Sequence, residues 1–200
     1  LIAALCDGMG GAKAGGLASQ LSNKAFVSYV YAKLTSRVSR ALDFRQILLD
    51  ACAEANGVAY DYSQFDEAYN GMGTTIVGGV IKNNGNGYII NVGDSRAYYI
   101  SRRNDAIEQV TRDHSLVEEL VEYGAITKDQ ARRHPQRNVI TRALGSDAVV
   151  EADYYEVSLQ TGDILLMCSD GLSNLVTELE MLDYAREYPE PELLCRALMS

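Results

Sequence analysis

Two stretches of this chain end an apolar run in an acid followed at once by glycine: Ile2-Ala3-Ala4-Leu5-Cys6-Asp7-Gly8 and Ile164-Leu165-Leu166-Met167-Cys168-Ser169-Asp170-Gly171. A carboxylate at the exit of a buried strand is costly to desolvate, and two aimed into one cleft repel unless positive charge lies between them. A divalent cation resolves the conflict. Carboxylate and carbonyl oxygens select hard ions such as magnesium or manganese, and glycine after each acid lets the backbone come close enough to offer its carbonyl. Asp-Gly is also a good turn dipeptide, so one copy alone reads as a turn. Two copies, each after a cysteine-bearing core strand, read as a site.

Other candidates carry less. The cluster Gly8-Met9-Gly10-Gly11-Ala12-Lys13-Ala14-Gly15-Gly16 lacks the Gly-Lys-Ser/Thr ending of a P-loop, and GxGxxG would need glycine at Lys13. It offers either exposed N–H groups before a helix beginning near Gly16, a weak anion site, or glycines for close packing of helix on strand. Ser115 and Glu118 have capping-box spacing, which leaves Asp113 without a local duty and makes it a third oxygen ligand in waiting. His114 and His134 read as partly exposed loop residues without a zinc-spaced partner, and no GxSxG elbow supports a serine hydrolase.

Around these residues the chain has 200 positions, 47% hydrophobic and 22% charged, which suits one globular domain. A formal charge of −9 is the wrong sign for binding nucleic acid. No apolar run is long enough for a membrane span and no export signal is visible, so a cytoplasmic chain is expected. Cys6, Cys52, Cys168 and Cys195 form no CxxC pair and read as buried thiols of a reducing compartment. The first residue, Leu1, lies inside an apolar run and the last, Ser200, inside a helical pattern. An interior piece of a longer protein is expected.

Residues 1–6 read as a strand, and the spacing of Leu17, Leu21, Ala25 or Phe26, Tyr29 or Val30, and Leu34 predicts a helix. A second helix carries Phe44, Ile47, Leu48, Cys52, Ala55, Ala59 and Tyr62 and stops near Gly71. Strands over 74–81, 88–92 and 96–101, separated by glycine turns, predict an antiparallel meander. A helix opens after Ser115, and 127–138 is polar and basic. Strands over 149–159 and 164–168 about Thr161-Gly162-Asp163 read as a hairpin, and 175–188 as a helix. This order predicts an α+β fold, an antiparallel sheet or sandwich with helices on its outer faces, and excludes a parallel α/β sheet.

Six motifs carry a resemblance. They are Cys6-Asp7-Gly8-Met9-Gly10-Gly11, Gly71-Met72-Gly73-Thr74-Thr75, Asn91-Val92-Gly93-Asp94-Ser95-Arg96, Thr111-Arg112-Asp113-His114-Ser115-Leu116, His134-Pro135-Gln136-Arg137-Asn138 with Thr141-Arg142-Ala143-Leu144-Gly145, and Cys168-Ser169-Asp170-Gly171-Leu172. In that order, across essentially the whole chain, they resemble bacterial metal-dependent protein phosphatases of the type 2C class. The resemblance implies an antiparallel β-sandwich flanked by helices on both outer faces, and two or three manganese or magnesium ions per site. It makes Asp7 the carboxylate bridging two ions, Gly8 a carbonyl ligand, Asp170 a ligand, and Asp113 with Asp170 the holders of a weaker third ion. Asp7 and Asp170 are then the catalytic pair, activating a water held between two cations for in-line attack on phosphoserine or phosphothreonine, with no covalent enzyme intermediate. The stretches 71–75 and 93–96 look architectural, and 127–138 resembles a flap beside the site, a candidate for substrate choice. Implied partners are phosphorylated proteins and a kinase of the same cell, met by a cytoplasmic monomer.

The departures are specific. Eukaryotic members place histidine two residues after the bridging acid, where this chain has Met9, so the general acid has no assignment. The family's N-terminal strand with its phosphate-gripping arginine and its C-terminal Asp-Asn motif are missing from these 200 residues. Residues 1–200 are therefore expected to be a single catalytic domain truncated at both ends. The competing expectations are a weak or inactive phosphatase-like binding module, and a phosphatase of small molecules.

Overall fold

The structure, a computed structural model, describes residues 1–36, 42–65 and 67–200. The opening strand β1 (Ile2–Leu5) and the short β2 (Gly8–Met9) lead into two long helices, α1 (Ala12–Thr35) and α2 (Phe44–Phe65). Then come β3 (Gly73–Thr74), β4 (Ile76–Ile81), β5 (Asn86–Val92), β6 (Arg96–Ser101) and β7 (Ala106–Gln109). Helices α3 (Leu116–Glu122) and α4 (Lys128–Arg132) precede β8 (Asp153–Ser158) and β9 (Ile164–Cys168), and α5 (Asp170–Ser173), α6 (Glu178–Glu187) and α7 (Pro191–Leu198) finish the chain.

Among the described residues β1-β4-β5-β8 and β7-β6-β9 form two antiparallel sheets, with β2 and β3 paired separately. Strand periodicity explains the four-layer packing. Val77, Ile89 and Ala97 point between the sheets, beside Leu165 and Met167. Ile76, Val80, Ile90 and Val92 point the other way, onto Phe26, Val30, Leu48 and Cys52 of α1 and α2. Tyr98, Ile100 and Leu166 pack outward on Met181, Leu182 and Leu194 of α6 and α7. This is the expected α+β sandwich with helices on both outer faces. Strands buried on both faces read as continuous apolar runs, which is why the sequence shows β4 and β5 without alternation.

Two connections differ from the sequence expectation. The chain leaves β5 through Gly93-Asp94-Ser95 and enters the other sheet as β6, so β4, β5 and β6 are no meander. Likewise β8 pairs with β5 and β9 with β6, so 149–168 is a sheet-to-sheet crossing instead of a hairpin. Turn residues specify a reversal of direction; which strand then supplies the partner is a tertiary matter. Strand β7 and helix α4 are additional short elements whose patterns are too brief to register.

Helix α1 begins at Ala12, four residues before the expected start, so Gly15 and Gly16 lie within it. A Cβ on Gly15 would stand 2.7 Å from the Gly8 carbonyl oxygen, and one on Gly8 only 1.9 Å from the Gly15 oxygen. The glycine cluster thus serves close backbone packing of α1 on β2. The most buried stripe of α1 includes Ala18 and Ser22, small residues that let α2 approach.

Candidate active site

Asp7 follows β1 and Asp170 opens α5 just after β9, so the two acids arrive from different sheets. Their carboxyl groups nevertheless come within hydrogen-bonding reach of each other, and the Ser169 side chain bonds Asp7. Burial and, next, the neighbouring Asp170 push the Asp7 carboxyl above the usual carboxylate range. Asn174 Nδ2 donates to Asp170 Oδ2 at 3.1 Å.

The backbone of Asp7 is pinned from both sides. Its N–H donates to Thr75 Oγ1 at 3.0 Å, while its carbonyl accepts from Thr75 N at 2.9 Å and from Thr74 Oγ1 at 2.9 Å. Thr75 Oγ1 in turn lies 2.7 Å from Ser95 Oγ in the buried interior. This ties Asp7 to the crossover that carries Asp94. Both backbone groups of Thr74 go to Leu144, at 3.0 and 2.8 Å, so Thr74 does not take the Gly8 carbonyl.

Asp94 is a further acid of the cleft, one that sequence reasoning passed over. Burial, followed by the charges of Asp170, Asp113 and Asp7, pushes its carboxyl up to about 6. The signal was present: Asp94 also leaves an apolar strand beside a glycine, but in the order Gly-Asp, within a stretch read as architectural.

Asp113 is buried and gripped from two sides. Arg96 donates through Nε to Oδ1 at 2.9 Å and through Nη2 to Oδ2 at 2.7 Å, and Gln109 Nε2 reaches Oδ1 at 3.0 Å. Ser115 caps α3 by accepting from Glu118 N, but the reciprocal half of the expected capping box is missing. The Glu118 carboxyl faces the cleft instead, where burial and Asp113 push it up. Full reciprocal boxes occur at Thr127 with Gln130 and at Thr177 with Glu180.

His114 is buried, contrary to the expectation of partial exposure. Its Nδ1 accepts from Gly93 N at 3.1 Å, its own N–H donates to the Gly93 carbonyl at 2.9 Å, and its Nε2 lies 3.2 Å from Asp153 Oδ2. Burial outweighs Asp153 and pulls the imidazole below its ordinary value, so it is neutral near pH 7. It clamps the Asp94 turn to the Asp113 segment. His134 is partly buried beside α4, with Nδ1 accepting from Gln136 N at 3.2 Å.

Asp94, Asp113 and Asp170 line a cleft of about 650 Å³, together with residues of α4 and Arg137. The basic stretch 127–138 is therefore placed beside the acids. All four cysteines are free thiols; Cys195 is exposed, unlike the expected buried set, because it faces outward on α7. Burial pushes Cys6 and Cys52 up to about 12 and Cys168 to about 11, so none of these three is a thiolate nucleophile at neutral pH.

The donor chemistry suits hard divalent ions: carboxylates from Asp7 and Asp170 forced together, Asp94 beside them, and a backbone carbonyl at Gly8. Among the described residues no group of three or more His, Cys, Asp or Glu side chains is gathered closely enough to hold a metal ion.

A family model described as protein phosphatase 2C matches residues 1–193. The chain belongs to that family. Among protein phosphatase 2C relatives, the serine/threonine phosphatase stp of Listeria innocua is 41% identical over 180 residues, covering 90% of this chain and 69% of its own. The crystal structure of serine/threonine phosphatase Stp1 from Staphylococcus aureus is similar at a TM-score of 0.87 and 36% identity, over 99% of this chain and 76% of that one. The catalytic domain of the serine threonine protein phosphatase PstP, solved in complex with 2 manganese ions, has a TM-score of 0.83 and 30% identity, over 99% and 79%. The expected type 2C phosphatase family and enzyme class stand on these matches. Among the described residues no helix is long and apolar enough to cross a membrane.

Proposed function

We propose that this chain hydrolyses phosphoserine and phosphothreonine in proteins, in the cytoplasm and as a monomer, opposing a kinase. The observation that carries this reading is the contact between Asp7 and Asp170, two like charges driven together from separate sheets. Asp7, Asp170 and the Gly8 carbonyl would hold two manganese or magnesium ions, and Asp170 with Asp113 a weaker third. Such ions would neutralise the acids, polarise the phosphoryl group and ready a water for in-line attack. The weakness of the third position has a source, since the Asp113 carboxylate already accepts from Arg96 and Gln109. Thr74, Thr75 and Ser95 hold Asp7 in register, and Ser169 and Asn174 orient the carboxyl pair. Support also comes from the PstP relative, whose catalytic domain was solved with two manganese ions.

The test is phosphate release from a phosphothreonine peptide by the purified protein, with manganese or with excess EDTA. Release with manganese alone is the expected result; equal release in EDTA overturns the metal role, and peptide binding without release favours the binding module.

A further inference from the structure

The cleft has a second wall of opposite sign. The cleft that Asp94, Asp113 and Asp170 line is lined also by Lys128, Arg132, Arg133 and Arg137. All four are exposed, and none lies within ion-pair distance of a described carboxylate. Residues 127–138 contain these four cations and a single acid, Asp129, in a chain whose formal charge is −9. The wall is set in place by the Thr127–Gln130 capping box, with Thr127 N donating to Gln130 Oε1 at 2.8 Å and Gln130 N to Thr127 Oγ1 at 3.2 Å.

We propose that this basic wall selects phosphopeptides whose phosphoresidue is flanked by acidic side chains. The inference rests on the phosphatase reading and adds the substrate class. A phosphoryl group brings about two negative charges, fewer than four cations can pair, and in this reading it belongs at the acid end. The flanking residues are what remains to meet the wall. Guanidinium groups suit them, because their planar fork matches a carboxylate. Charges elsewhere on this acidic protein repel an acidic peptide, yet screening confines each to about 8 Å at physiological salt. Arg96 and Arg112 also line the cleft, but each is already paired, with Asp113 and Glu122, so the wall supplies the cations left to attract such a peptide.

The test uses three phosphothreonine peptides of equal length, flanked by Glu, Gln or Lys, on the wild type and on Arg132→Glu/Arg133→Glu. For the wild type, kcat/KM should fall from Glu to Gln to Lys by about two- to fivefold per flanking charge, and the spread should shrink at high salt. The variant should flatten or invert the order. Fluorescence anisotropy of the same peptides reads the wall independently of turnover. Ordered binding without turnover supports the wall and sinks the phosphatase reading. Equal binding of all three peptides, or an order the variant keeps, overturns the wall.

Discussion

The carboxyl groups of Asp7 and Asp170 meet although their strands, β1 and β9, belong to opposite sheets of the sandwich. The contact therefore exists only when both sheets are formed and stacked, and folding itself assembles a charge conflict that a bound cation would relieve. Asp170→Asn should leave the metal-free protein at least as stable as the wild type. It should remove most of the manganese-induced rise in melting temperature and lower turnover by more than about a hundredfold, the loss typical of deleting one electrostatic participant. Thermal melts with and without manganese, beside phosphate-release assays, check both.

Asp94 supplies a pH signature. Its folded value of about 6 lies above the roughly 3.9 of an unfolded aspartate, so between those values the folded state holds the extra proton. Stability of the metal-free protein should therefore fall as pH rises from about 4 to about 6 and level off above. Cations need the ionised acids, so stabilisation by manganese should be small at pH 5 and grow toward pH 7. Asp94→Asn should flatten the metal-free slope, which urea unfolding at stepped pH would read.

Arg96, partly exposed, and the buried Asp113 form a pair that cannot be halved cheaply. Arg96→Met strands a carboxylate whose side chain is only 8% exposed, and the expected loss is about 3 kcal/mol. Arg96→Met/Asp113→Leu should recover much of it, as apolar replacement of a whole pair often does. Lysine at 96 should fare poorly too, since it cannot reproduce the two-pronged grip. Urea midpoints of the three variants decide.

Gly8 and Gly16 predict opposite outcomes for the same substitution. Gly8→Ala puts a methyl 1.9 Å from the Gly15 oxygen and should destabilise by about 2 kcal/mol or more. Gly16→Ala meets nothing within 4 Å inside α1 and should stabilise by roughly 0.5–1 kcal/mol. Calorimetric melts separate them.

What the sequence disclosed and what it withheld have physical reasons. Asp7 and Asp170 were legible because each ends an apolar strand, a local pattern, and the sandwich followed from strand and helix periods. The crossing at 93–95 was hidden because a turn looks the same whether the next strand pairs back or joins another sheet. Asp94 was hidden with it. Glu118 seemed spent as a capping partner, yet its carboxyl faces the cleft, and His114 seemed exposed until Asp153, far along the chain, came to meet it. In each case the deciding contact is between residues distant in sequence.

Calorimetric titration of manganese into the metal-free protein at pH 7, wild type beside Asp7→Asn and Asp170→Asn, bears most directly on the carboxylate pair. The wild type should bind, and each variant should bind at least about tenfold more weakly, the lower end of what a supporting group alone contributes. No binding to the wild type, or equal affinity in all three proteins, would contradict the account.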